Sequence, residues 1–127
     1  MGTLWFKNIV IVGVRPQRYT FEFMERYDSF TLCSFDKSKK DILELCGSKS
    51  GRDIDKTAVC GLTPVKSVKI DAPAFAEATR IIECRKLYSD FLKAKNFVDK
   101  SVIRKVYGEH DFHKLYIAEV ANIITAS

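Results

Sequence analysis

The sequence predicts a mainly β domain, either a β-barrel or an open sheet with helices at its periphery. Two observations lead to this class. Residues 5–14 and 112–125, near the two ends of the chain, are rich in the β-branched and aromatic residues that are typical of strands. The helical patterns are short and lie in the middle of the chain. This order of elements favours a sheet or barrel over a helical bundle.

Composition and charge bound the class of protein. The chain has 127 residues, of which 46% are hydrophobic and 29% charged, so one domain with its own core is expected. A formal net charge of +5 favours an anionic partner: a nucleotide, a phosphorylated cofactor or nucleic acid. Four cysteines without short spacings are expected to be free thiols in a reducing compartment. Residues 9–14 are too short an apolar run to span a bilayer. We therefore expect a cytoplasmic protein with no membrane partner.

The first two predicted elements are a strand and a helix. Residues 5–14 have the pattern of a strand buried on both faces, and a proline follows that cannot donate to a sheet ladder. Thr20 is expected to cap a helix over residues 21–27. Within this helix, Phe23 and Met24 are expected to face the core.

A second strand and further helices follow. Residues 29–35 alternate as a half-buried strand. Ser38 is expected to cap a helix over residues 39–46, with Gly47 as its C-terminal stop. A further short helix is expected over residues 54–60.

The second half of the chain has less distinct patterns. Val68 and Ile70 indicate a short strand. Residues 75–92 are ambiguous, because their alanines suit a helix by spacing while their later alternation suits a strand. Residues 96–105 indicate a polar loop with a helical turn. Residues 112–125 are expected to form one or two closing strands.

The polar stretch between the middle helices is a candidate anion site. Residues 47–56 contain two glycines, two serines, three cationic side chains and two acids. Backbone N–H groups and positive charge together suit a phosphate. A surface turn accounts for the same residues, and composition alone favours that interpretation.

Two arginines form a second candidate. Arg15 and Arg18 lie where the first strand ends and a helix begins, a position where anionic ligands often bind. Pairing with Glu22 or Glu25 accounts for them equally well.

The histidines are the third candidate. His110 and His113 have a spacing that zinc sites use, but a third ligand is not apparent nearby, so no metal site is expected. A single histidine at the turn before the last strand can donate, accept or carry a proton to a ligand. A structural role in the turn is an equally good interpretation. No catalytic triad or glycine-rich nucleotide motif is recognised, so the residues alone indicate no reaction.

Three stretches carry a resemblance when they are taken together. They are Val-Arg-Pro-Gln-Arg-Tyr-Thr at 14–20, Cys-Gly-Ser-Lys-Ser-Gly-Arg-Asp-Ile-Asp-Lys at 46–56 with Gly-Leu-Thr at 61–63, and the segments 82–88 and 111–120. In this order they resemble the flavin reductase-like, FMN-binding split-barrel family, in particular its flavoredoxin-like branch. The resemblance extends over nearly the whole chain.

The resemblance implies a fold and an activity. It implies a split barrel that forms a homodimer with FMN at the subunit interface. It implies an oxidoreductase that moves electrons between NADH or NADPH and the flavin. It also implies that residues 75–92 are mainly a long strand. A nucleic-acid partner is not expected from it, although charge and aromatic content would permit one.

The resemblance also assigns site residues by position. The cofactor-binding residues would be Arg15, Arg18, Tyr19, Thr20, Ser50, Gly51, Arg52, Asp53 and Lys56. The catalytic residue would be His113, near the flavin ring or the nicotinamide pocket.

One departure from the family pattern concerns the N-terminus. Relatives have a strand before the segment that matches residues 2–5, with small and hydroxyl side chains that help to hold FMN. We therefore expect a split barrel that is incomplete at its N-terminus and has an exposed sheet edge. The alternative function that follows is a non-catalytic, N-terminally truncated member with weak or no flavin binding.

Overall fold

The computed structural model describes residues 1–48 and 61–126, and within them strands dominate. The strands are β1 (Gly2–Leu4), β2 (Lys7–Val14), β3 (Ser29–Ser34), β4 (Pro64–Lys66), β5 (Pro73–Phe75), β6 (Arg80–Phe91) and β7 (Lys114–Thr125). The helices are α1 (Tyr19–Arg26), α2 (Lys40–Ser48) and α3 (Ser101–Val106), with 3-10 turns at Lys37–Lys39 and Ala94–Asn96. The predicted mainly β class with peripheral helices is confirmed.

The described strands form one large and one small antiparallel sheet. The large sheet has the order β1-β2-β7-β6-β3, and β4 pairs with β5 in the small one. Among the described residues, no helix is long and apolar enough to cross a bilayer.

The chain starts with a hairpin and not with a single strand. Trp5 and Phe6 form its turn, with φ angles of 54° and 61°. Two positive φ angles are characteristic of type I′ turns, which strongly prefer Asn-Gly. The prediction of one strand over residues 5–14 is therefore wrong at its start, because two aromatic residues carry no turn signal. Burial on both faces is also wrong, since Ile9 and Val10 are buried but Ile11 is 52% exposed.

The hairpin turn is expected to tolerate a stabilising substitution. The double variant Trp5→Asn, Phe6→Gly should raise the free energy of unfolding by about 1–2 kcal/mol, because asparagine and glycine adopt positive φ more easily. Denaturant unfolding measures the change. Phe6→Ala is the matched control, since it removes the exposed ring but keeps a Cβ at positive φ. A double variant that is no more stable than this control would contradict the expectation.

The long strands β6 and β7 pair along most of their lengths. Ile82 lies opposite Ile123 and Lys86 lies opposite Ala118, and the pairing register shifts after Glu83 and again after Lys86. The long strand that the resemblance implies is thus confirmed over Arg80–Phe91. The helical spacing of this segment is overridden because β6 pairs with a strand on each side.

Alternating side chains of the large sheet form the core beneath α1. The buried cluster consists of Val10, Met24, Phe30, Ile82, Cys84, Tyr116 and Ala118. The Tyr116 hydroxyl is buried and has no hydrogen-bond partner among the described residues. Burial, with a smaller contribution from Glu25, raises the pKa of Tyr116 to about 12. The Lys86 ammonium group lies 5.5 Å from the Tyr116 ring centroid and donates to the carbonyl of Met24, which ties α1 to the sheet.

Helix α1 begins two residues earlier than predicted. Its N-cap is Arg18, which makes no side-chain capping hydrogen bond, so the prediction of Thr20 as the cap is wrong. Met24 is buried as predicted. Phe23, in contrast, is 44% exposed, because one face of a helix this short is enough to cover the core.

Helix α2 differs from its prediction at both ends. Asp36 accepts a hydrogen bond from the Ser38 amide at 2.9 Å and caps the 3-10 turn Lys37–Lys39 that precedes α2, so Ser38 lies inside that turn and is not an N-cap. The helix runs to Ser48, past the predicted stop at Gly47. The helix predicted over residues 54–60 lies outside the described residues.

The strand predicted at Val68 and Ile70 is wrong. The small sheet flanks this segment instead, with β5 starting at Pro73. The backbone amides of Val68 and Lys69 donate to the carboxylate of Glu83, so they are not available for a ladder. A buried acid on a distant strand thus decides the conformation of this loop.

Candidate functional site

The pairing of β2 with β7 brings two predicted site residues to one end of the large sheet. Val14 lies opposite Lys114 at the end of this antiparallel ladder. Arg15 directly follows the last residue of β2, and His113 directly precedes the first residue of β7. Because antiparallel partners run in opposite directions, the end of β2 meets the start of β7. The topology therefore brings together two segments that are almost a hundred residues apart.

Arg15 is half-buried and held by three neighbours. Its Nη1 lies 3.4 Å from Oδ2 of Asp111, and its Nη2 donates to the carbonyl oxygen of Val106 at 2.8 Å. The guanidinium carbon lies 5.2 Å from the centroid of the Tyr107 ring. The acid that pairs with Arg15 therefore lies in the turn before β7. The alternative prediction, that Arg15 pairs with Glu22 or Glu25 of α1, is wrong for this residue.

His113 is held by an aromatic cluster. Its Nδ1 lies 2.5 Å from the hydroxyl oxygen of Tyr107, and the two rings meet nearly at right angles, at 83°. The Tyr107 ring centroid lies 4.8 Å from that of Phe112 and 6.0 Å from that of Phe97. These contacts fix the position of the imidazole next to Arg15.

The surroundings of His113 favour its neutral form. Burial is the largest cause of a lowered pKa of His113, and the positive charge of Arg15 lowers it further, while Asp111 raises it. The unfolded chain therefore takes up this proton first as the pH falls. The contribution of the neutral imidazole to stability is present above the unfolded pKa, about 6.5, and is lost as the pH falls through the lower folded pKa.

The charges around His113 can be tested separately. We expect Asp111→Asn to lower the pKa of His113 further, because it removes the carboxylate that favours the imidazolium. Arg15→Met should raise this pKa, because it removes the opposing charge. NMR titration of the imidazole C–H signals measures both changes. Shifts of the same sign in both variants would contradict the assignment.

A glycine lets the imidazole and Leu115 approach the backbone of β2 closely. A Cβ added to Gly13 would lie 3.3 Å from Cδ2 of Leu115 and 3.5 Å from both Cβ and Cδ2 of His113. Gly13 pairs with Leu115 in the ladder. The sequence reading missed this residue, although a glycine inside a strand is a known sign of a close approach.

The other predicted cofactor-binding residues lie around the start of α1. The amide of Arg18 donates to the carbonyl oxygen of Arg15 at 3.1 Å, so a tight turn joins the two arginines. The Tyr19 ring packs edge-on against Phe23 with centroids 4.9 Å apart. Thr20 lines a separate groove of about 920 Å³ between α1, β2 and β3. Five predicted residues lie outside the described residues: Ser50, Gly51, Arg52, Asp53 and Lys56.

The structure thus groups Arg15 with His113 and connects Arg18 to them through a backbone turn. Tyr107, Asp111 and Gly13 belong to the same cluster and were not predicted. Within the described ranges, no group of three or more histidine, cysteine or acidic residues is arranged to hold a metal ion.

Comparisons with known proteins define the class of this chain. The sequence model of the flavin reductase like domain matches residues 6–127. The chain therefore belongs to the flavin reductase-like family. A search of curated proteins found no match.

Solved structures share the fold. Flavoredoxin of Desulfovibrio vulgaris (Miyazaki F) superposes with a TM-score of 0.71 at 21% identity, over 94% of this chain and 54% of that one. An FMN-binding protein from Thermus thermophilus, solved with bound p-hydroxybenzaldehyde, superposes with a TM-score of 0.69 at 19% identity, over 94% of this chain and 55% of that one. Nitrilotriacetate monooxygenase component B from Bacillus cereus superposes with a TM-score of 0.71 at 18% identity, again over 94% of this chain and 55% of that one. The chain spans about half the length of these structures, and the predicted split-barrel class is confirmed.

Proposed function

We propose that this chain binds FMN and acts as an oxidoreductase that passes electrons between a nicotinamide cofactor, NADH or NADPH, and the flavin. The observation that carries the proposal is the meeting of Arg15 and His113 at one end of the β2–β7 ladder, in a chain of the flavin reductase-like family. The names of two structural neighbours, a flavoredoxin and an FMN-binding protein, support the same cofactor.

The turn from Arg15 to Arg18 fits a phosphate group. It combines a guanidinium group with the start of α1, whose cap makes no side-chain hydrogen bond to the first-turn amides. Helix N-termini of this kind favour anions, because the amides point outward and the helix dipole is positive there. In the proposal, Arg15 and these amides bind the phosphate of FMN.

In the proposal, the imidazole of His113 faces the planar ring of the flavin. Gly13 has no side chain, so Leu115 and His113 lie close against β2 at this point. A neutral imidazole can donate or accept one hydrogen bond there without placing a charge against the ring. FMN, when bound, supplies the chemistry of hydride and electron transfer. The role of this chain is to hold and orient it.

A homodimer is part of the same proposal. Ile11 and Tyr88 are 52% and 53% exposed, and both lie opposite Ile117, so three neighbouring strands present one apolar row. Gly13 shares the face of Ile11 by strand alternation. A second copy covering this row would lie next to the imidazole. Such a protein would work as a dimer in the cytoplasm.

Titration with FMN tests the proposal. We expect the flavin fluorescence to change saturably on binding, and the complex to oxidise NADH or NADPH. Riboflavin, which lacks the phosphate, is the matched ligand and should bind more weakly. Light scattering with and without FMN should give the molar mass of a dimer. A folded protein whose addition leaves FMN fluorescence unchanged at saturating concentrations would contradict the proposal.

A further inference from the structure

Tyr107 lies at the centre of the candidate site. It follows α3 and is only 6% exposed. Phe97 and Phe112 pack against its ring. Its hydroxyl is directed at Nδ1 of His113, 2.5 Å away.

The ring of Tyr107 contacts both functional groups of the site. The guanidinium carbon of Arg15 lies 5.2 Å from its centroid, and the imidazole meets it edge to face at 5.5 Å. A cation over an aromatic ring and a T-shaped ring pair are both attractive arrangements. One side chain therefore sets the distance between the cation and the imidazole.

The chemistry of the two groups favours one direction of this hydrogen bond. A phenol hydroxyl is a better donor than acceptor, and a neutral imidazole has one basic nitrogen that accepts and one N–H that donates. Burial and the charge of Arg15 lower the pKa of His113 and so favour its neutral form. When the phenol donates to Nδ1, the remaining proton of the imidazole must be on Nε2.

The Cδ2 side of the imidazole lies over Gly13, with Cδ2 3.5 Å from where a Gly13 Cβ would be. Nδ1 is turned to Tyr107. The nitrogen that remains for a ligand is therefore Nε2.

We propose that Tyr107 is the positioning residue of this site, which donates to Nδ1 of His113 and fixes the tautomer that presents an Nε2–H donor to the ligand. The acceptor is a carbonyl oxygen or ring nitrogen of an oxidised flavin-type ring. This identity of the ligand rests on the proposed function. The tautomer does not, because every group that sets it belongs to the chain.

The tautomer can be read directly in the protein without ligand. Long-range ¹H–¹⁵N NMR separates protonated from unprotonated imidazole nitrogens. The chain has two histidines, and His110→Asn assigns the spectrum, since asparagine tolerates the φ of 55° at that position. We expect an unprotonated Nδ1 and a protonated Nε2 for His113. The reverse pattern would overturn the proposal.

Tyr107→Phe tests whether the hydroxyl causes this state. The variant keeps the ring, so we expect an unchanged fold but a mixture of tautomers. It should also weaken FMN binding about 3- to 10-fold, the usual effect of one hydrogen bond. Tyr27→Phe is the matched control, because Tyr27 is 51% exposed and follows the last residue of α1.

The two proposals fail in different ways. If neither the wild type nor Tyr107→Phe binds FMN while the tautomer changes as expected, the proposed function fails and the positioning role stands. If FMN binds but Tyr107→Phe leaves the His113 tautomer as it is in the wild type, the positioning role of Tyr107 is wrong.

Discussion

Glu83→Ala is expected to lower the free energy of unfolding by about 3 kcal/mol. Glu83 is fully buried on β6, at 0% exposure. Its two carboxylate oxygens accept hydrogen bonds from the amides of Val68 and Lys69 at 2.8 Å and 2.7 Å. Hydrogen bonds to a charged group contribute about 1.5–3 kcal/mol each. Alanine would leave both amides without this acceptor and would create a cavity.

The loop before β5 is anchored mainly by this acid. Arg85 adds one bond to it, from Nη2 to the carbonyl oxygen of Lys69 at 2.7 Å. Glu83→Ala should therefore also raise the hydrogen exchange of the Val68 and Lys69 amides before the protein unfolds globally.

Denaturant unfolding measures the effect of Glu83. Glu83→Gln keeps one accepting oxygen, so its stability should lie between those of the wild type and Glu83→Ala. Glu109→Ala, in an exposed turn, is the surface control and should change stability by less than about 0.5 kcal/mol. A Glu83→Ala protein as stable as this control would show that the loop does not depend on the carboxylate.

Arg15→Ala is expected to weaken FMN binding by about 10- to 100-fold. A guanidinium–phosphate contact is a charge-assisted hydrogen bond, and bonds of this kind contribute about 1.5–3 kcal/mol. Arg15 already has its position fixed by Asp111, Val106 and Tyr107. Little conformational entropy would then be lost on binding, so the effect should reach the upper part of this range.

Fluorescence titrations with FMN and riboflavin separate the role of charge from that of fold. Arg15→Ala should lose affinity for FMN but keep its affinity for riboflavin. Arg15→Lys keeps the charge without the planar fork, so it should be intermediate. Arg104→Ala, an exposed arginine of α3, is the control. If Arg15→Ala lost affinity for FMN and riboflavin equally, Arg15 would contact the ring and not the phosphate.

Local patterns along the sequence were sufficient for several elements. Alternation predicted a strand over residues 29–35, and the structure has Ser29–Ser34. The apolar pattern of residues 112–125 became β7, Lys114–Thr125. Both patterns reflect which side chains face the core, which is a property of near neighbours in the chain. For Arg80–Phe91 the local signal was divided, and the family resemblance supplied the answer.

Other features depend on contacts that no local pattern contains. The turn at Trp5 and Phe6 carries none of the residues that normally announce a hairpin. The conformation of residues 68 and 69 depends on an acid about fifteen positions later. The local pattern predicted a strand at Val68, because a local pattern contains no information about the carboxylate of Glu83.

The candidate site divides in the same way. The sequence and its family resemblance were enough to select Arg15 and His113, since residue type and position in the motif carry that information. Only the tertiary structure decided that Arg15 pairs with Asp111, 96 residues away, and that the hydroxyl of Tyr107 meets the imidazole. The physical reason is that the antiparallel register of β2 and β7 sets which side chains become neighbours. This register depends on how all strands of the sheet bury their apolar faces together, and not on the sequence of one strand.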